Sequence, residues 1–137
     1  MHSHTLRARV LVAAAALAPL MVMATPVPAA AQPEIITPGV LRLPAQNANC
    51  PTGFLCLYRD VGYSGGGVAV NSGRALNDFR ALDFNDEMSS WINETAARYC
   101  WYPDINYSGT RFAMRAATTS EAVNLENNDT ASSAEPC

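Results

Sequence analysis

One stretch of this chain occurs twice. Cys56, Leu57, Tyr58, Arg59, Asp60, Val61, Gly62, Tyr63, Ser64, Gly65 returns 44 residues on as Cys100, Trp101, Tyr102, Pro103, Asp104, Ile105, Asn106, Tyr107, Ser108, Gly109. Each copy is followed by a second shared signature, Asn85-Asp86-Glu87-Met88-Ser89-Ser90 in the first and Asn128-Asp129-Thr130-Ala131-Ser132-Ser133 in the other, 43 residues apart. Two separated signatures in one order at near-equal spacing mark an internal duplication. A unit this short cannot bury a core alone, so the two copies must share one.

Within each unit the pattern is that of short strands. Phe54–Tyr58 is an apolar and aromatic run that predicts a first strand, Asp60–Gly67 is turn chemistry, and Val68–Val70 predicts a second strand. Gly62, Gly65, Gly66 and Gly67 allow positive φ in that turn. They lack the Lys and the strand-to-helix context of a phosphate loop. Leu76, Phe79 and Leu82 at spacings of three suggest one helical turn or a packed loop, and Ser89–Asn93 predicts a strand that closes the unit. In the second copy the expected strands are Ala97–Tyr102, Thr110–Arg115 and Ala131–Ala134, with a turn over Asp104–Gly109. The expectation is an all-β protein, eight strands in two antiparallel sheets that bury the repeated Tyr, Phe and Trp between them. Repeat 1 spans about residues 54–93 and repeat 2 about 97–134.

Ahead of the duplication lies a different kind of sequence. Arg7 and Arg9 precede an apolar run, Val10 to Ala24, and Ala29, Ala30 and Ala31 follow. That is the build of a signal peptide, residues 1–31, cut after Ala31 and marking a secreted, extracellular protein. An apolar run of about 15 residues is short for a permanent membrane span. Residues 32–49, with Pro33, Pro38 and Pro44, are expected to form a flexible, Pro-rich leader, although Ile35, Ile36, Val40, Leu41 and Leu43 could lie along a sheet edge. The domain proper is then 50–137.

Without residues 1–31 the chain has neither His nor Lys, and its seven Arg face twelve Asp plus Glu, a net charge of −5. An acidic chain of this kind is a poor partner for nucleic acid or an anionic membrane. Lack of His argues against Ser-His-Asp and Cys-His nucleophiles and against His-ligated zinc. The repeated Asp60/Asp104 and Asp86/Asp129 pairs are accounted for by duplication rather than by acid–base chemistry, so no enzyme is expected. Four cysteines in an exported chain indicate two disulfides. Of three pairings we favour Cys50–Cys56, around a short Pro-Gly turn, and Cys100–Cys137, tying the C-terminus to the second repeat. Loop entropy values them at about 2.4 and about 3.9 kcal/mol.

The pattern Tyr, four residues, Tyr, one residue, Gly, present as Tyr58/Tyr63/Gly65 and Tyr102/Tyr107/Gly109, resembles the hairpin signature of the βγ-crystallin Greek key. The second signature resembles that superfamily's calcium motif. The resemblance implies a disulfide-stapled, βγ-crystallin-like sandwich of two Greek-key motifs. It also implies two reciprocal Ca2+ sites, Asp86 with the Thr130 carbonyl and Ser132, and Asp129 with the Glu87 carbonyl and Ser89. Ser90 and Ser133 are assigned to structure. Ca2+ takes six to eight hard oxygen ligands, and with so few carboxylates its affinity would be weak, on the order of 10⁻⁶ to 10⁻³ M. The same hexapeptide could instead serve only to pin a loop, since Asn, Asp and Ser bond local backbone.

Within the superfamily, the opening Cys50-Pro51-Thr52-Gly53-Phe54-Leu55-Cys56-Leu57-Tyr58, the export signal and the four cysteines resemble the actinobacterial peptidase inhibitor family I36. The resemblance implies a secreted inhibitor of an extracellular peptidase, a metallopeptidase in characterised members. Their reactive segment sits in a small disulfide-bounded loop near the start of the second unit. Here that region, Asn93 to Cys100, holds one cysteine, so no reactive bond is assigned. Two other functions fit the same scaffold: a calcium-binding module with a structural or envelope role, and a killer-toxin-like antimicrobial protein.

Overall fold

A computed structural model describes residues 29–45 and 49–137. The predicted signal peptide lies almost wholly outside these residues. Nine strands form two antiparallel sheets: β1 Glu34–Thr37, β2 Val40–Leu43, β3 Phe54–Asp60, β4 Ser64–Asn71, β5 Ser90–Asn93, β6 Tyr99–Tyr102, β7 Phe112–Met114, β8 Thr118–Ser120 and β9 Ser133–Pro136. The larger sheet has the order β1-β2-β4-β3-β5-β8 and the smaller β7-β6-β9. The expected helical turn is a 3-10 turn, Phe79–Leu82, started by the Asp78 carboxylate accepting from Arg80 N at 3.0 Å. The Arg80 guanidinium on that carboxylate holds it below its usual pKa.

The third segment of each repeat crosses to the other repeat's sheet. From repeat 2, β8 pairs with β5, Trp91 opposite Ser120. From repeat 1, Leu76 exchanges both backbone hydrogen bonds with Ala134 of β9, at 2.7 and 2.9 Å. This exchange is why neither repeat is a separate domain. Between the sheets lie Leu55, Leu57, Val68, Val70, Phe79, Phe84, Met88, Trp91, Tyr99, Trp101 and Met114, all buried. Trp101 stacks on Phe112 at 4.2 Å between centroids.

Strand β3 shows how the sequence pattern builds this arrangement. Successive side chains of a strand point to opposite faces. Leu55 and Leu57 therefore enter the inter-sheet core, while Cys56 and Tyr58 enter a second cluster with Leu43, Ala69 and Ile92. A strand covered on both faces is apolar at consecutive positions, as this run is.

The residues ahead of the first repeat are where the structure departs from the sequence expectation. The leader is a β-hairpin, not a flexible segment: Pro38 and Gly39 form a two-residue turn, with Gly39 at φ +80°, and β2 adds to β4 in register Val40 opposite Val70 through Leu43 opposite Gly67. Val40 and Leu43 are buried, which makes residues 34–43 part of the fold. Among the described residues there are thus nine strands where eight were expected. Both disulfides join the favoured pairs, Cys50–Cys56 and Cys100–Cys137, each with Cα atoms 5.8 Å apart.

Candidate functional site

The duplicated signatures converge as two copies of one arrangement. In repeat 1 the Tyr58 and Tyr63 rings meet edge to face at 5.9 Å and 64°; in repeat 2 Tyr102 and Tyr107 meet at 6.0 Å and 64°. Tyr63 and Tyr107 both sit at φ 60°. Such a conformation is costly for a bulky residue and persists only when the surroundings fix it. The last serine of each hexapeptide does so. Ser90 Oγ donates to Asp60 O at 2.6 Å and accepts from Tyr63 N at 3.1 Å; Ser133 Oγ donates to Asp104 O at 2.6 Å and accepts from Tyr107 N at 3.0 Å. Both serines are fully buried. Their role is structural, as expected.

The remaining hexapeptide residues cross between repeats. Ser132 Oγ donates to Asp86 Oδ1 at 3.2 Å, and Ser89 Oγ donates to Asp129 Oδ1 at 3.1 Å. The backbone follows the same exchange, Asp86 N to Ala131 O at 3.0 Å and Asp129 N to Met88 O at 3.2 Å. Asp86 and Asp129 share φ 56°, and each carboxylate's second oxygen accepts from the preceding Asn side chain at 2.7 Å. So Asp86 lies with Ser132 and Asp129 with Ser89, each pair drawn from both repeats. The Glu87 side chain is not directed to either pair; it bridges to Arg59, which also donates to Asp83 O and lies over the Phe84 ring at 5.3 Å. Thr130 Oγ1 donates locally to Asn127 O at 2.8 Å.

The fit of a calcium ion to these groups has one specific mark. Asn85 Oδ1, beside Asp86, is buried without a hydrogen-bond partner. A buried carbonyl oxygen of this kind costs desolvation energy unless something satisfies it. The donors at both pairs are all oxygen, hard ligands of the type Ca2+ takes. Among the described residues no cluster of three or more His, Cys, Asp or Glu side chains could hold a metal.

Sequence reasoning did not anticipate the way the segment between the repeats is held. Asn93 and Thr95 are buried, and between them they brace residues 94–98. Asn93 Nδ2 donates to Ala97 O and Met114 O at 3.0 Å; Asn93 Oδ1 accepts from Thr95 N at 3.0 Å and from the Thr95 hydroxyl at 2.7 Å, and Thr95 Oγ1 in turn accepts from Ala97 N at 3.2 Å. Glu94 is fixed on both sides through Gly53 N to Glu94 O and Glu94 N to Phe54 O, each 2.9 Å. The Asn-Glu-Thr triplet is a local signal for such an Asn-centred turn.

Residues 44–114, from the end of the leader hairpin to β7, match the peptidase inhibitor family I36. The chain belongs to that family. It is an inhibitor-family protein and not an enzyme. Its solved structural neighbours are βγ-crystallin domains. One, from work on the evolution of the eye-lens βγ-crystallin domain fold, is 22% identical, covers 72% of this chain and 96% of its own, and superposes with a TM-score of 0.62. A βγ-crystallin from Ciona intestinalis is 24% identical over 62% of this chain and 100% of its own, TM-score 0.53. A double mutant of a βγ-crystallin domain from Clostridium beijerinckii is 25% identical over 61% and 96%, TM-score 0.50. No curated protein matches the chain. The all-β, two-motif Greek-key expectation is thus met.

Proposed function

We propose that this I36 member is secreted and inhibits an extracellular metallopeptidase. The family match over residues 44–114 carries the inhibitor reading. Two disulfides in a chain this short suit an oxidising, extracellular compartment. No helix among the described residues is long and apolar enough to cross a membrane. An inhibitor gains affinity by presenting segments already held in their bound shape, so that little conformational entropy is lost on docking. The braced connection at 94–98 and the pinned hairpin turns meet that requirement. The class of target is tested by assaying the purified protein against metallo, serine and cysteine peptidases. Inhibition of thermolysin with serine and cysteine peptidases unaffected is the expected result; inhibition confined to a serine peptidase would contradict the metallopeptidase reading.

A second activity is favoured by the unpartnered Asn85 Oδ1 and the cross-repeat Asp–Ser pairs. Asp86 and Ser132, with Asn85 and the Thr130 carbonyl, would hold one Ca2+; Asp129 and Ser89, with the Glu87 carbonyl, would hold the other. The ion would replace hydrogen bonds that now join the repeats and cross-link them through charge. At a free concentration a hundred times the dissociation constant it would add about 2.7 kcal/mol. The expected outcome is a thermal midpoint that rises with Ca2+, returns with EDTA, and loses its response in a paired Asp86→Ala and Asp129→Ala variant. An unchanged midpoint at millimolar Ca2+ would make the hexapeptides pins alone. The inhibitor reading is independent of this result.

A further inference from the structure

We infer that the loop between β8 and β9, with Leu125 at its tip, is the segment this inhibitor inserts into the target's catalytic cleft. The inference rests on the metallopeptidase reading given above. Leu125 is 96% exposed, the most exposed of the three large apolar side chains left in solvent among the described residues. The others are Ile35, on the leader hairpin, and Val61, 58% exposed. Val61 is in the turn stitched to the same loop, through Gly62 N donating to Glu121 O at 2.8 Å. Two of the three exposed apolar groups thus belong to connected loops.

The loop is held along its length. Val123 N donates to Ser89 O at 2.7 Å and its side chain packs on the inter-sheet core. Asp129 N donates to Met88 O at 3.2 Å, so both ends are tied to adjacent residues of repeat 1. At the tip, Asn127 N donates to Asn124 O at 3.0 Å and Asn127 Nδ2 to Asn124 Oδ1 at 2.7 Å, closing a turn that carries Leu125 outward. A solvated leucine is ordinary on a mobile loop; on a pinned turn it is a preorganised anchor for an apolar pocket. A single projecting side chain suits a concave cleft and offers little to a flat partner surface.

Charge narrows the occupant. Residues 121–128 carry Glu121 and Glu126 and no cation. An acidic loop complements a cleft whose centre is a metal cation. The braced segment at 94–98 cannot play this part, since its exposed residues are Glu94, Ala96 and Arg98, with Thr95 buried. It has no large apolar group to fill a primary pocket.

The test is inhibition of thermolysin, which has an apolar primary pocket and a catalytic metal, by the wild-type protein and by Leu125→Asp, Ala96→Glu and Ile35→Asp variants. All three positions are exposed, and equal melting midpoints will verify folding. Loss of a central anchor costs at least 2 kcal/mol, about 30-fold in inhibition constant. We expect Leu125→Asp to weaken inhibition by at least about 30-fold, while Ala96→Glu and Ile35→Asp stay near wild type. Wild-type potency in Leu125→Asp, or loss confined to Ala96→Glu, overturns the loop assignment and leaves the metallopeptidase reading standing. Failure of the wild-type protein itself overturns both.

Discussion

At the residue scale, the two copies keep different residues for different tasks. Ser90 and Ser133 are fully buried pins under the hairpin turns, whereas Ser89 and Ser132 face the opposite repeat's carboxylate. Adjacent serines in one motif thus serve a local turn and a long-range contact. Their adjacency was visible in the sequence, and so was the structural assignment of the second. What the sequence did not disclose is that Glu87 turns its side chain to Arg59, because that pairing joins residues 28 apart, one on β3 and the other in the loop before β5. Tyr58 supplies a pH prediction at this scale. Burial, with a smaller contribution from neighbouring Tyr63, pushes its phenol up to about 12. Between its unfolded pKa near 10 and that value the unfolded chain loses a proton that the folded chain keeps. The unfolded state then binds fewer protons, so stability falls as pH rises through this window. Thermal midpoints should be steady below about pH 9.5 and drop from pH 10 upward, and Tyr58→Phe should flatten the drop. An identical slope in that variant would mean that the loss arises at other groups.

At the element scale, the central hairpin of β3 and β4 fixes the large sheet. Gly67 stands where the strands approach most closely: a Cβ built there would lie 1.9 Å from Leu57 O. Its φ is not positive, unlike those of Gly62, Gly65 and Gly66, so the requirement is for space rather than for conformation. The expected positive φ is thus found at three of the four glycines, but only Gly62 lies in the turn; Gly65, Gly66 and Gly67 belong to β4, which begins at Ser64 rather than at Val68. Gly67→Ala should force β3 and β4 apart and cost about 2–4 kcal/mol, measured as a shift in the urea midpoint. A shift under about 0.5 kcal/mol would show that the sheet absorbs a methyl there. Three prolines weighed toward a flexible leader, but the sheet-edge alternative for Ile35 to Leu43 is the one the structure adopts, with Pro38-Gly39 as its turn signal. Strand β8, Thr-Thr-Ser, has no apolar alternation to announce it; its place is set by pairing with β5.

At the scale of the whole molecule, duplication made the fold legible and left the functional surface hidden. Every paired feature, from the tyrosine corners to the crossed aspartates, could be expected in the second copy once seen in the first. The brace at 94–98 lies between the two copies and the loop at 121–129 runs into the second hexapeptide at Asn128; ahead of that residue the repeats differ and no internal comparison helps. These unpaired parts are what a target could recognise, carried on a scaffold whose two halves exchange segments and share one core. As proposed above, this scaffold inhibits a peptidase without being consumed. The most direct measurement is a titration of active-site-calibrated thermolysin with the purified protein, followed by mass analysis of the mixture. The expected result is a linear fall in activity that ends at one equivalent, with the chain recovered intact. Full activity in molar excess of the protein, or its steady conversion to fragments, would contradict it.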